Sequence, residues 1–450
     1  MTLPDYFLAD LDVEPTPSLV REAARTVRRN RQRFLLERTT EEVINILSEV
    51  ASNWLRPENP FRARALEEGP KATRFSEPVL RRGLDAFFSS VTPDQLESLL
   101  IQELGQECRL DRFSTLESGS QSAALARGPE LIAHITAGNL PLPALFSMLS
   151  GFLIRSAQFI KCAQGADFFP RLLGHSIYAV DAKLGACLEI ATWPGGHQDL
   201  EAHLFQETEL VTATGRNETL NSIRARLPDG VRFVGYGHKI SFAYMAREIL
   251  TRGGMSQWLP RVVEDITAWD QHGCLSPHVL YVESGGTVSA IDVAEQLGDA
   301  LAERESVEPR GRLTDEESAL IRMKRDFYKV RAAHSYETQL WTSRDTTAWT
   351  VVFEQDPIFQ LSCANRFIYV KPVANLEEVL RVAEPLRHQV STVGLAVPAK
   401  NMESLAWDLA RWGVSRVCPV GRMQNPPLTW RHDGRPPLGD LVLWTDLERP

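Results

Sequence analysis

L-I-A-H-I-T-A-G-N-L-P-L-P, residues 131–143, is the stretch whose reading decides the fold. An apolar run of strand length ends at Gly138 and Asn139, and Pro141 and Pro143 then set the entry to a helix. A strand, a glycine-containing turn and a helix in that order open an α/β unit. The same region holds an alternative, because residues 135–154 run without a charge for about the length of a membrane span. The prolines would break such a helix in its first half, so the expectation is a buried strand, a loop and a buried helix.

Working outward, the runs A-Q-F-I-K-C-A (157–163), A-C-L-E-I-A-T (186–192), E-L-V-T-A-T (209–214) and V-R-F-V-G-Y-G (231–237) repeat the theme between helix-like segments. Continuous rather than alternating apolarity predicts a mainly parallel sheet with both faces buried. Ligands of such sheets bind at the C-terminal ends of the strands. Beyond residue 274 the pattern recurs as a second α/β lobe, with antiparallel strands expected around 337–355. The expected division is a mostly helical region at 1–110, a dinucleotide-binding domain at 111–269, a catalytic α/β domain at 270–420 and a tail at 421–450 that wraps a surface. The arginine-rich run from 21 to 38 reads as a solvated helix face.

A chain of 450 residues exceeds the size at which one core keeps growing. Its net charge of −9 and pI near 5.7 argue against nucleic acid or an anionic membrane as the main partner. The acidic start M-T-L-P-D-Y-F-L-A-D-L-D lacks the features of a secretory signal. Six scattered cysteines read as reduced thiols in a cytoplasmic protein. No histidine or cysteine grouping has metal-ligand spacing, and neither G-x-S-x-G nor a G-x-G-x-x-G following a strand occurs.

The candidate residues stand on predicted loops. Asn139 can present its amide to an oxyanion developing on an attacked carbonyl, although an Asn there also makes ordinary local turn bonds. Lys161 lies near the end of the second strand, where nucleotides bind, and Gly215 opens a helix as a modest phosphate or ribose cue. Cys274, in D-Q-H-G-C-L-S-P-H (270–278), sits on a turn where one predicted lobe gives way to the next along the chain. Taken alone it reads as a small buried hydrophobe before it reads as a nucleophile, like the other five cysteines.

Four blocks occur together in order: A-G-N-L-P (137–141), Y-G-H-K-I-S-F (236–242), D-Q-H-G-C-L-S-P (270–277) and G-R-M-Q-N-P-P-L-T-W-R-H-D-G (421–434). From about residue 125 onward the chain thereby resembles the LuxC-type acyl-CoA reductases, the reductase component of bacterial bioluminescence fatty acid reductases, within the aldehyde dehydrogenase superfamily. The resemblance implies a Rossmann-like cofactor domain and an α/β catalytic domain with a small antiparallel extension. It implies Cys274 as nucleophile, Asn139 as oxyanion-hole donor and Lys161 as the lysine that holds the adenosine ribose. It also matches Glu354, in V-V-F-E-Q-D-P, to a glutamate that contacts the nicotinamide ribose, with a spacing one residue short.

Two departures from the wider superfamily stand out. Aldehyde-oxidising members carry a Glu that activates water, where this chain has Gly235 in G-Y-G-H-K. Many NAD-preferring members carry K-P-x-E, where this chain reads K-C-A-Q, so Gln164 replaces an acid that would repel a 2′-phosphate. The resemblance thus implies NADPH and reduction of a long-chain acyl thioester, from acyl-CoA or an acyl-protein, to the aldehyde. It also implies an acyl-protein synthetase partner and a homo-oligomer. The alternatives are a CoA-acylating aldehyde dehydrogenase with a shorter substrate, or a non-catalytic acyl-carrying scaffold.

Overall fold

The structure, a computed structural model, describes residues 3–11, 13–115 and 122–448; residues 1–2, 12, 116–121 and 449–450, including both chain ends of the sequence reading, lie outside the described residues. The chain divides into two compact units. The first comprises Met1–Thr73, Leu84–His238 and Pro427–Pro450, and the second Arg74–Gly83 and Lys239–Pro426.

In the first unit, strands β1 (Ser122–Arg127), β2 (Leu131–Ile135), β3 (Ala157–Cys162), β4 (Leu188–Thr192), β5 (Leu210–Thr214) and β6 (Arg232–Tyr236) follow one another along the chain. The last five form a parallel sheet in the order β4-β3-β2-β5-β6, which confirms the five strands read from the sequence. All of β2 and β3 is buried, as continuous apolar runs require in a sheet covered on both faces. Leu131, Ala133, Phe159, Val211 and Ala213 share one core with Leu200, Leu204 and Phe205 of a covering helix. The uncharged stretch resolves as expected into β2, a bend and the helix Leu142–Leu153, with Pro141 as its N-cap. Among the described residues no helix is long and apolar enough to cross a membrane.

The N-terminal helices Pro17–Phe34, Thr40–Leu55, Pro60–Thr73 and Pro93–Leu104 belong to this unit rather than standing apart. The arginine-rich face is not all solvated, because Arg31 is buried and donates to the carbonyls of Arg155 at 2.6 Å and Gly128 at 3.4 Å.

The second unit adds β7 (Ile240–Met245), β8 (Pro277–Glu283), β9 (Thr338–Thr342), β10 (Thr350–Glu354), β11 (Phe367–Val373), β12 (Val390–Ala396) and β13 (Arg416–Pro419). They form one sheet in the order β13-β12-β7-β8-β11-β10-β9, parallel except where β9 runs antiparallel to β10 at the edge. Alternate residues feed opposite cores: Leu280 and Val282 pack on one face, Val279 and Tyr281 on the other. Each such side chain contributes roughly 1.5–3 kcal/mol when fully buried. Because β7 lies between β12 and β8, this unit begins at Lys239 and includes the helix Arg252–Thr267. The expected boundary at 269/270 is therefore some thirty residues too late. The tail returns to the first unit, where β14 (Leu443–Glu448) pairs antiparallel with β1.

Candidate active site

Cys274 is half-buried on the turn that leads into β8, and the Ser276 amide closes that turn on the Gly273 carbonyl at 3.0 Å. The turn is held from two sides within its unit. Ser241, in β7, donates its hydroxyl to the Cys274 carbonyl at 2.7 Å. Gln424 donates its amide to the Ser276 hydroxyl at 2.5 Å. The segment carrying Gln424 is fixed in turn, since the buried Asp265 carboxylate accepts from the Gly421 and Met423 amides at 2.5 and 2.9 Å. Burial pushes the Asp265 carboxyl up to about 7. Arg416 donates to the carbonyls of Met423 and Arg422 at 2.7 and 2.6 Å. Burial lowers the pKa of its guanidinium, and interactions with Cys418, Asp265 and Cys274 partly offset that loss.

The approach to the cysteine has an unusual backbone. Trp269, Asp270 and Gln271 have φ of 52°, 48° and 67°, and Ala364, Asn365 and Arg366 have φ of 53°, 57° and 62°. Non-glycine residues enter this region at a cost of about 1–3 kcal/mol each, so both triplets need strong partners. They find them largely in each other. Arg366 donates through Nε to Asp270 Oδ1 at 2.9 Å, and the Asn365 amide donates to the Asp270 carbonyl at 2.8 Å. Gln271 donates to the carbonyls of Pro277 and Phe367 and accepts from the Phe367 amide, all at 2.7–2.9 Å. Asp270 and Arg366 are 1% and 0% exposed, and Glu305 and the Gly311 amide complete the charge network at 2.8 and 2.9 Å. His272 and Asn365 then share a 3.0 Å hydrogen bond one residue before Gly273.

The remaining cysteines differ. Cys162, Cys187 and Cys418 are buried, and burial pushes each thiol up to about 12. Cys363 is half-buried with its thiol pushed up to about 11, and Cys108 is half-buried too, so neither is the fully buried core residue expected.

In the first unit, Asn139 stands on the exposed bend after β2. Gly138 beside it owes its identity to packing rather than to turning, since a Cβ there would meet the Ala163 Cβ at 3.3 Å while its φ is not positive. Lys161, the last residue but one of β3, is almost wholly buried, and its ammonium makes no hydrogen bond among the described residues. It lies 5.7 Å from the Trp193 ring centroid, and burial lowers its pKa. Among the described residues, the buried hydroxyl of Thr192, the last residue of β4, and the buried indole N–H of Trp193 just after it have no hydrogen-bond partner. Gln164 is exposed on the turn after β3, and Gly215 follows β5 with only ordinary contacts where a Cβ would stand. The structure thus brings Lys161, Gln164 and Gly215 to the C-terminal edge of one sheet, the place expected for a ligand.

Glu354 lies in the second unit, at the end of β10. It is 1% exposed, and its carboxylate takes the Thr338 hydroxyl at 3.2 Å, Arg331 at 3.1 Å and Lys371 at 3.8 Å. A ribose hydroxyl would have to compete with two cations for it. Gly235 lies within β6, and a Cβ there would stand 2.8 Å from the Phe233 ring. A side chain at this position would require the Phe233 ring to move. Among the described residues no group of three or more His, Cys, Asp or Glu side chains could hold a metal ion.

Sequence reading missed Ser241, Asp265, Asp270, Arg366, Arg416 and Gln424. Asp270 and Asn365 belong to the types that tolerate left-handed backbone, but nothing in the sequence says that the two triplets meet.

The sequence profile described as acyl-CoA reductase (LuxC) matches residues 35–444. The long-chain acyl-protein thioester reductase of Photorhabdus laumondii is 23% identical over 415 residues, covering 91% of this chain and 82% of its own. The protein of the same name from Aliivibrio fischeri is 23% identical over 416 residues, covering 91% and 82%. Among solved structures, the NAD-dependent benzaldehyde dehydrogenase of Corynebacterium glutamicum superposes with a TM-score of 0.70 at 12% identity, covering 97% of this chain and 91% of its own. The Delta-pyrroline-5-carboxylate dehydrogenase of Mycobacterium tuberculosis gives 0.69 at 12% identity, with 97% and 83% covered. The fold is α/β of the aldehyde dehydrogenase type.

Proposed function

Since the chain belongs to the acyl-CoA reductase (LuxC) family, we propose that it reduces a long-chain fatty acyl thioester to the aldehyde, with the acyl group carried on Cys274. The observation that carries this reading is the Cys274 turn: a half-buried thiol, pinned through Ser241 and Gln424 and coupled to a buried guanidinium. The thiolate attacks the thioester carbonyl, a carbon–sulfur bond forms to Cys274, and the donor thiol leaves. Asn139 takes the oxyanion-donor role that the family resemblance gives it. The missing carboxylate at Gly235 leaves water without a base, which favours reduction over hydrolysis of the acyl-cysteine.

A nicotinamide cofactor, when bound, supplies hydride to the acyl carbon. The residues at the first sheet's edge suit such a group: among the described residues Lys161 offers an ammonium without a hydrogen bond, and the buried Trp193 N–H and Thr192 hydroxyl are likewise unmet. Gln164 is a neutral donor where a carboxylate would repel a 2′-phosphate, which supports NADPH. Glu354 is the weakest of the cofactor assignments, since Arg331 and Lys371 already neutralise it. After reduction Cys274 departs as a thiolate and frees the aldehyde.

Incubation with a long-chain acyl-CoA should add one acyl mass at Cys274, and NADPH should release it as fatty aldehyde. Cys274→Ala should lose activity by a factor of about 10³ or more while melting like the parent. Retained activity in that variant removes Cys274 as the nucleophile, and a strong preference for NADH removes the argument from Gln164.

A further inference from the structure

Residues Arg74–Gly83 belong to the second unit, together with the turn that carries Cys274. They meet the approach to that turn at three points. The Phe75 ring, 6% exposed, stands edge-on to two rings of the approach, with centroids 5.3 Å from Trp269 and 6.0 Å from His272. Gly83 packs so tightly on the Trp269 indole that a Cβ there would overlap it at 2.0 Å. The third contact runs through Gly311, whose amide donates to Asp270 Oδ2 at 2.9 Å, while the next amide, of Arg312, donates to the Arg74 carbonyl at 2.7 Å.

The segment is anchored at both ends. Arg74 has a left-handed φ of 73°, a strained backbone for a residue with a side chain, and its guanidinium pairs with Glu317 at 2.9 Å. Glu317 is itself fixed in the capping box of the helix Asp315–His334. Arg82 pairs with Glu264 and donates to Glu308 at 2.7 Å, and the Glu308 carbonyl accepts from Arg366 at 2.8 Å. Residues 74–83 are thus tied to both left-handed triplets on the approach to the cysteine.

We propose that Phe75 is a positioning residue for Cys274, an inference that rests on the acyl-carrying role given to that cysteine. In the triplet before the turn, Asp270 and Gln271 are held through hydrogen bonds of their side chains. The Trp269 side chain makes no hydrogen bond among the described residues and is 3% exposed, so its place, and with it the left-handed backbone beneath, depends on the groups packed around it. Phe75 packs on both Trp269 and His272, which bracket Asp270 and Gln271 and stand five and two residues before Cys274. Removing its ring leaves space into which the indole and the imidazole can turn, and the strained backbone between them can then relax. The thiol leaves the pose from which it attacks, and rate falls steeply with such displacement.

The test compares Phe75→Ala and the milder Phe75→Leu with Val379→Ala, which truncates a fully buried side chain elsewhere in the same unit. Transfer from a long-chain acyl-CoA to Cys274, and alkylation of Cys274 by iodoacetamide, are each timed by mass spectrometry of the cysteine peptide. Both Phe75 variants should be acylated about tenfold more slowly than the parent, with alkylation within about twofold of it, since iodoacetamide needs a thiolate but no fixed pose. Val379→Ala should melt earlier yet be acylated at the parental rate. Phe75 variants acylated at the parental rate, a loss of acylation matched by an equal loss of alkylation, or an equal loss in Val379→Ala overturns this inference alone. A parent whose Cys274 is alkylated but never acylated removes the proposed function, and this inference with it.

Discussion

The course of the Asn139 bend is set by its neighbours in sequence: Gly138 packs close to Ala163, and Pro141 and Pro143 start the next helix. The Cys274 turn is set by distant ones, with Arg366 standing 96 positions from the Asp270 it neutralises and Gln424 standing 148 from Ser276. One loop is exposed and needs no buried charge. The other rests on two left-handed triplets locked by an ion pair that is almost wholly buried. The difference teaches that a site residue can be placed either by local backbone chemistry or by remote polar anchors, and that the two should fail differently when mutated.

The largest effect is expected at the remote anchor. Arg366→Met leaves Asp270 buried without its cation and should cost about 3–5 kcal/mol in denaturant unfolding. Combining it with Asp270→Asn should recover part of that loss; a single variant as stable as the parent would dissolve the contrast. Asn139→Ala should do the reverse, leaving stability unchanged while kcat falls by about 10²–10³. A lowered melting temperature there would mean that Asn139 is as structural as Arg366.

A smaller effect sharpens the comparison through pH. Asp265 has its folded pKa raised from 3.8 to about 7, so the native state binds more proton than the unfolded chain between those values. Its contribution is therefore fully present below about 4 and is lost as pH rises towards about 7. Asp265→Asn should make the fall in melting temperature across that window shallower, at a cost of about 1–3 kcal/mol from the acceptor lost to the Gly421 or Met423 amide. An unchanged slope would show that the carboxylate does not titrate in this range.

These differences also explain what was legible beforehand. The five parallel strands of the first sheet could be read because each is a continuous apolar run, and the Asn139 bend because Pro141 and Pro143 announce the helix entry locally. The unit boundary at His238/Lys239 was hidden because β7 follows β6 after only three residues, and only pairing with β8 and β12 assigns it to the other sheet. The Asp270–Arg366 pair was hidden because a charged residue in a sequence defaults to the surface. Glu354 looked available for the same reason in reverse: its two cations, Arg331 and Lys371, approach from separate elements.

Phe233 gives Gly235 a significance for protein engineering. Its ring occupies the ground that a side chain at 235 would need, two residues along the same strand. A larger side chain at 235 is therefore expected to need the Phe233 ring to turn aside, and Phe233→Ala should relieve that contact. A library at position 235 therefore samples more side chains when Phe233 is varied with it than when Phe233 is held fixed.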